Sequence, residues 1–286
     1  MPACYDGPVL APDDRAAESK EAAHEGGRIF AVYSGKGGTG VTSICVNLAS
    51  LLASEHRLKV VAVDMDLQYG DLASIVTTPD EYPTLTDIVV APVEELDADF
   101  VAAAMVAGPG GFKLIACPPR PELSELVTAA HVTRLMTILR ERFDIVLVDC
   151  GGHLADPTTA VTDVADQILL VTAATTSSLK DLRLALALFV QLGVPAARLR
   201  VVLNHPDDHA DFSDAEVAES IGHTVAASLP HDSRTAVMAI DSGEPFVFTR
   251  PKSALAAGLR KLAIQVSGEV AQPGEEKSGL LGMLTR

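Results

Sequence analysis

Ser34-Gly35-Lys36-Gly37-Gly38-Thr39-Gly40-Val41-Thr42-Ser43 is the stretch from which the fold can be read. The apolar run IFAVY (29–33) precedes it, and the helix-period segment ICVNLASLLA (44–53) follows it. A strand, a glycine-rich loop and a helix in that order make a phosphate-binding loop. Glycines let the backbone curl so that successive N–H groups point inward, and the helix N-terminus adds partial positive charge. Thr42 stands where the hydroxyl ligand of Mg²⁺ belongs in such a loop.

Working outward, Val60-Val61-Ala62-Val63-Asp64-Met65-Asp66 reads as a buried strand ending in two acids, with Gly70-Asp71-Leu72 close behind. Carboxylates at a strand end beside a phosphate loop can hold metal-bound water and orient an attacking water. The plain alternative is a solvated strand end. Ile145-Val146-Leu147-Val148-Asp149 closes four apolar residues on one acid, the pattern of a Walker B strand whose aspartate holds Mg²⁺ through water. Gly151, Gly152 and His153 follow, and His153 reads as a loop histidine without a chemical role. A further strand, Leu199–Leu203, ends in Asn204 and His205, and another reaches Leu229-Pro230-His231-Asp232.

Apolar runs recur at 28–33, 58–63, 112–117, 144–149, 167–172, 199–203 and 224–229. Helix-period segments such as Leu123–Arg142 and Ser178–Leu192 lie between them. Strand then helix, repeated, predicts an α/β fold: three α/β/α layers around a mostly parallel sheet of roughly seven strands. Right-handed crossovers then gather the strand C-termini along one edge, where ligands bind. One domain is expected over 28–270, ending in a helix at about 253–270, with an N-terminal tail over 1–27 and a C-terminal tail over 271–286.

The chain of 286 residues is 48% hydrophobic and 21% charged, enough for a sizeable core. Its net charge of −16 argues against broad, sequence-independent DNA binding, which neutralises phosphates with cations. No run approaches the ~18 apolar residues of a membrane span. The acidic, Pro-rich start MPACYDGPVLAPDD lacks a signal-peptide pattern. Cys4, Cys45, Cys117 and Cys150 form no C-x-x-C pair and read as reduced thiols of a cytoplasmic protein, with no zinc site.

The run Lys36-Gly37-Gly38-Thr39-Gly40-Val41-Thr42 resembles the deviant Walker A motif of the MinD/ParA superfamily of dimerising P-loop ATPases. The resemblance covers roughly 28–250 and implies ATP/ADP and Mg²⁺ as cofactors, and a homodimer formed with ATP. It implies that Gly35 through Ser43 cradle the phosphates and that Lys36 reaches across the dimer to the partner's nucleotide. Asp66 would position the attacking water. Thr42, Asp64 and Asp149 would serve the metal. Gly152 would offer its N–H to the γ-phosphate, and Asn204, with the Pro230–Asp232 loop, would read the adenine.

One departure stands out. The family's second lysine, directly before the threonine, is Val41 here. A charge-assisted hydrogen bond contributes ~1.5–3 kcal/mol, about ten- to 150-fold in affinity. Nucleotide binding is therefore expected to survive weakened, and hydrolysis to be slow or lost. A non-lysine residue there resembles the CpaE/TadZ branch, as does Cys117-Pro118-Pro119-Arg120-Pro121-Glu122, where Arg120 could face the phosphates. That branch implies a protein partner in pilus assembly, secretion or polar localisation. A non-hydrolysing scaffold is the second reading. A ParA-type DNA role is weakened by the charge and by the lack of basic residues beyond Arg250, Lys252, Arg260 and Lys261 near the C-terminal helix. Residues 277–286, with four apolar residues and two cations, leave membrane contact, a docking peptide or plain disorder open.

Overall fold

The computed structural model describes residues 26–76, 81–205 and 212–268. In chain order these form β1 (Arg28–Tyr33), α1 (Val41–Ser54), β2 (Val60–Asp64), α2 (Leu85–Val89), α3 (Ala98–Ala103), β3 (Val106–Ala107), β4 (Lys113–Ile115), α4 (Ala129–Arg142) and β5 (Ile145–Asp149). Then come α5 (Asp156–Val164), β6 (Gln167–Thr172), α6 (Thr176–Gln191), β7 (Leu199–Asn204), α7 (Asp214–Ile221), β8 (Val225–Leu229), α8 (Ser233–Ser242), α9 (Phe246–Thr249) and α10 (Ala254–Gly268).

The strands join one sheet in the order β3-β4-β2-β5-β1-β6-β7-β8, and every pair is parallel except β3 with β4. Central strands are apolar throughout because both faces are covered; β1, β2, β5 and β6 are almost wholly buried. One face packs Phe30, Ala62 and Leu147 under α1 and α10, with Leu48, Leu52 and Leu259. The other packs Ile29, Val63 and Val148 under α4 and α6, with Leu135, Leu139 and Phe189. The opposite sheet edge is tied by Asp166, which accepts the Ile29 N–H at 2.7 Å and pairs with Arg140 at 3.0 Å.

The three-layer, mostly parallel architecture agrees with the sequence reading, and the differences lie in the bounds of single elements. Among the described residues the sheet has eight strands, close to the roughly seven expected. The additional β3 is two residues long, too short to print a pattern, and antiparallel. The 112–117 run yields only Lys113–Ile115 as strand, because Pro118 and Pro119 have no N–H to continue the ladder. The 58–63 run enters the sheet at Val60. The helix expected over Leu123–Arg142 is two elements: a 3₁₀ stretch, Pro121–Leu126, and then α4, capped by the Thr128 hydroxyl on the His131 N–H. The tail expectations for 1–25 and 271–286, including the membrane or docking reading of 277–286, lie outside the described residues.

Candidate functional site

The loop after β1 lies at the C-terminal edge of the sheet, where β5 and β6 flank it on opposite sides. A Cβ at Gly37 or Gly38 would meet no described heavy atom within 4 Å, so there is open space beside the loop at both positions. Gly40 has φ of 93°, and a Cβ there would lie 2.7 Å from the Asn204 amide nitrogen. That nitrogen donates to the Thr39 carbonyl at 2.8 Å, pinning the end of β7 to the loop. Ser34 anchors the loop's start: its N–H donates to the Gly151 carbonyl at 3.1 Å, and its hydroxyl accepts the Lys36 N–H at 3.2 Å.

Val41 opens α1 with its side chain buried in the apolar cluster beneath that helix. Lys36 turns the other way. Its ammonium donates to the Ser177 hydroxyl at 2.5 Å, in the first turn of α6. Among the described residues lining the clefts around this loop, Lys36 is the one lysine or arginine.

Asp64 and Asp149 end neighbouring strands and stand opposite each other in the β2–β5 register. Both are buried. Burial lifts the Asp64 carboxyl well above the usual carboxylate range, with the Asp149 charge adding to it. Burial pushes Asp149 up to about 6, against the opposing pull of the Thr42 hydroxyl and the Gly151 N–H. The Asp64 oxygens accept the Leu72 N–H at 3.0 Å and the Asp66 N–H at 3.2 Å, so this side chain staples the loop that carries Asp66. Asp149 Oδ1 accepts the Gly151 N–H at 3.0 Å, while its Oδ2 is buried with no hydrogen-bond partner among the described residues. An orphaned anionic oxygen beside a threonine hydroxyl at the mouth of a glycine loop fits a hard cation with oxygen ligands.

Asp66 extends to the rim, its Oδ1 accepting the Tyr69 N–H at 3.3 Å. Its other oxygen lies 2.6 Å from where a Cβ on Gly151 would sit, and Gly151 has φ of 55°. Glycine is required there twice over, by the backbone and by the carboxylate. Gly152 rests against the Ser34 carbonyl. The two acid-bearing loops therefore converge on the phosphate loop.

Beside the loop's other flank is a cleft of about 170 Å³ lined by Gly38, Gly40, Ser43, Asn204, Pro230 and Asp232, with Ile44, Val237, Ile240 and Phe246 as apolar walls. Asp232 caps α8 through the Thr235 N–H at 3.1 Å, which fixes the Pro230–Asp232 turn. A second cleft of about 400 Å³ opens beyond Asp66, with Gln68, His153 and Asp156 in its wall. Asp64, Asp66 and Asp149 thus end strands or loops beside the phosphate loop, Asn204, Pro230 and Asp232 border the cleft on its other flank, and Val41 is buried under α1. Arg120 points to solvent and pairs with Glu122 at 3.6 Å instead of facing the loop.

Two features escaped the sequence reading. Ser177 holds Lys36 from 141 residues away, and a serine at a helix start carries no sign of such a contact. The crowding of Gly151 against Asp66 was legible only as a double glycine after a strand acid.

Comparison with known proteins agrees with this geometry. The family model described as AAA domain matches residues 27–192. An uncharacterised ATP-binding protein of Methanocaldococcus jannaschii is 25% identical over 243 residues, covering 84% of this chain and 87% of that protein. The crystal structure of a ParA family ATPase from Chlorobium tepidum superposes with a TM-score of 0.77 at 26% identity, covering 83% of this chain and 98% of the other. The septum site-determining protein MinD of Pyrococcus horikoshii, solved with Mg-ADP, gives 0.71 at 24% identity, over 84% and 95%. With its loop, acids and sheet order in place, the chain belongs to the AAA domain family, as a P-loop ATPase of the MinD/ParA kind.

Proposed function

We propose that this protein is an ATP-dependent localisation or assembly factor that dimerises on Mg-ATP, engages a protein partner of a pilus or secretion system as the CpaE/TadZ branch does, and hydrolyses ATP weakly. The observation that carries the nucleotide reading is the buried Oδ2 of Asp149, without a hydrogen-bond partner among the described residues, beside Thr42 and the glycine loop. Mg²⁺, when bound, would neutralise charge on the β- and γ-phosphate oxygens. Thr42 and Asp149 are the residues to hold it, and Asp64 supports them by fixing the Asp66 loop. The loop N–H groups from Gly35 to Ser43 bind phosphate oxygens, and Gly152 adds its own. Asn204, Pro230 and Asp232 border the apolar cleft suited to a purine. Asp66 at the rim orients a water and takes its proton at the carboxylate, while Val41 withholds the usual stabilising charge and keeps turnover slow.

A dimer through Lys36 gives the protein two states, and a partner that prefers one of them is switched by nucleotide. Deleting the gene in its host tests the assignment. Surface pili or secretion should be lost and should return with the wild-type gene but not with Lys36→Ala or Asp66→Ala. Normal pili with displaced septa would favour a MinD-type role instead, and defective DNA inheritance a ParA-type one.

A further inference from the structure

Helix α6 carries more apolar surface than its place in the fold uses. Residues 182–192 read LRLALALFVQL, apolar nearly all round, a pattern that belongs to a helix covered on every side. One face is covered: Leu182, Ala185, Leu186 and Phe189 are buried in the core on the α4 side of the sheet. The outer face is not. Leu184 is 58% exposed, Leu188 39% and Leu192 48%, and Ala187 is exposed between them. Side chains four apart stand one above the other on a helix, so the leucines form a stripe about 12 Å long. Single exposed leucines need no explanation, but a row of them marks a surface that meets something. Charge is arranged about this row. Lys180 stands one turn before Leu184, and Arg183 beside it donates to the Ser220 hydroxyl of α7 at 2.7 Å. The helix's one acid, Asp181, is half-buried, and its carbonyl oxygen lies 3.2 Å from where a Cβ on Gly35 would sit. In a chain of net charge −16, α6 thus exposes two cations and no acid.

We propose that the outer face of α6 docks an amphipathic helix of a partner protein, whose apolar side chains cover Leu184, Leu188 and Leu192 and whose acidic end meets Lys180. This rests on the partner-binding part of the reading above, not on the pathway, and names the surface that does the binding. A straight stripe on a rigid helix is matched by a second helix with apolar anchors at i, i+4 and i+7, and the acid sets which way that helix lies. A second copy of this chain fits less well. Packed antiparallel, α6 on α6 would bring Lys180 and Arg183 over Gln191, Leu192, Gly193 and Pro195, where no acid answers them; packed parallel, it would set cation against cation. A bilayer calls for a broad apolar face with cations around it, and this stripe has them at one end alone.

The test is titration of the full chain with a labelled helical peptide that carries a leucine stripe flanked by glutamates, and with a twin that has lysines in place of the glutamates. Fluorescence anisotropy reads the binding. Wild type should prefer the acidic peptide about fivefold or more at low salt, with the gap closing as salt is raised. Leu188→Asp, at an exposed position that does not threaten folding, should weaken the acidic peptide about tenfold or more while nucleotide affinity stays unchanged. Lys180→Glu should turn the preference toward the lysine twin, a result that a misfolded variant could not give. No binding of either peptide, or equal binding of both by wild type and Leu188→Asp, would overturn the proposal. So would self-association of wild type, or flotation with anionic phospholipid vesicles, that Leu188→Asp abolishes, since either would assign the stripe to another occupant. The readout is direct binding, so its failure leaves the pilus or secretion reading standing, and a normal pilus phenotype leaves this surface standing.

Discussion

Replacing Asp149 with asparagine should make the empty protein more stable while destroying its use. Asp149 Oδ1 accepts one N–H and Oδ2 none, in a buried setting beside Asp64. Burial raises its carboxyl from 3.8 to about 6. At about 1.4 kcal/mol for each tenfold change in proton affinity, the ionised side chain destabilises the ligand-free fold by about 3 kcal/mol. The sign follows from proton counting. Between about pH 4 and pH 6 the folded chain holds a proton here that the unfolded chain has released, so stability falls as pH rises through that window and stays low above it. Asp64, raised in the same direction by burial and by Asp149, steepens the fall. Asparagine keeps an oxygen for Gly151, carries no charge and turns a donor toward Asp64. In a protein of this size each kcal/mol moves the melting temperature by roughly 2–4 °C, so Asp149→Asn should melt about 6–12 °C higher at pH 7 without ligand. The gap should close toward pH 4. Thermal melts in chelator across pH 4–8 measure both numbers, and adding Mg-ATP analogue should raise wild type and leave the variant unmoved. A variant that melts at or below wild type at pH 7, or a gap indifferent to pH, would refute the reasoning.

Further outcomes follow from the same geometry. Asp66→Asn should keep nucleotide affinity within a few-fold and lower any turnover by about 100-fold or more, read by phosphate release against binding. Gly151→Ala places a Cβ 2.6 Å from the Asp66 carboxylate at φ of 55° and should destabilise the fold by about 1–3 kcal/mol. Combined with Asp66→Ala, part of that loss should be recovered, because the two residues share one contact. Arg140→Ala takes the guanidinium at 3.0 Å from Asp166 but leaves Arg28 at 3.8 Å, and should destabilise by about 1–3 kcal/mol, with nucleotide affinity per folded molecule unchanged.

The site was legible in the sequence where chemistry is local. Asp64, Asp66 and Asp149 announce themselves as acids ending apolar runs, and the loop's glycines as a curl between a strand and a helix. Central strands were legible because burial on both faces writes an unbroken apolar run. What stayed hidden depends on contacts between distant segments. The β3 strand is two residues held by pairing with β4, without a pattern of its own. The break before α4 comes from Pro121 starting a 3₁₀ stretch, which an apolar period of three to four cannot separate from α-helix. Asp64 reads as a metal residue, yet both its oxygens accept backbone N–H groups from the following loop, a use that only the folded chain displays. Likewise Lys36 points to a serine that nothing near it in sequence foretells.

The central claim is that the backbone from Ser34 to Ser43 wraps a triphosphate without a lysine at position 41. Equilibrium dialysis of concentrated protein against Mg²⁺ and a non-hydrolysable adenine triphosphate tests it most directly. The account predicts saturation at one nucleotide per protomer, with loss of binding in Asp149→Asn. No bound nucleotide and no thermal shift at millimolar ligand would contradict it.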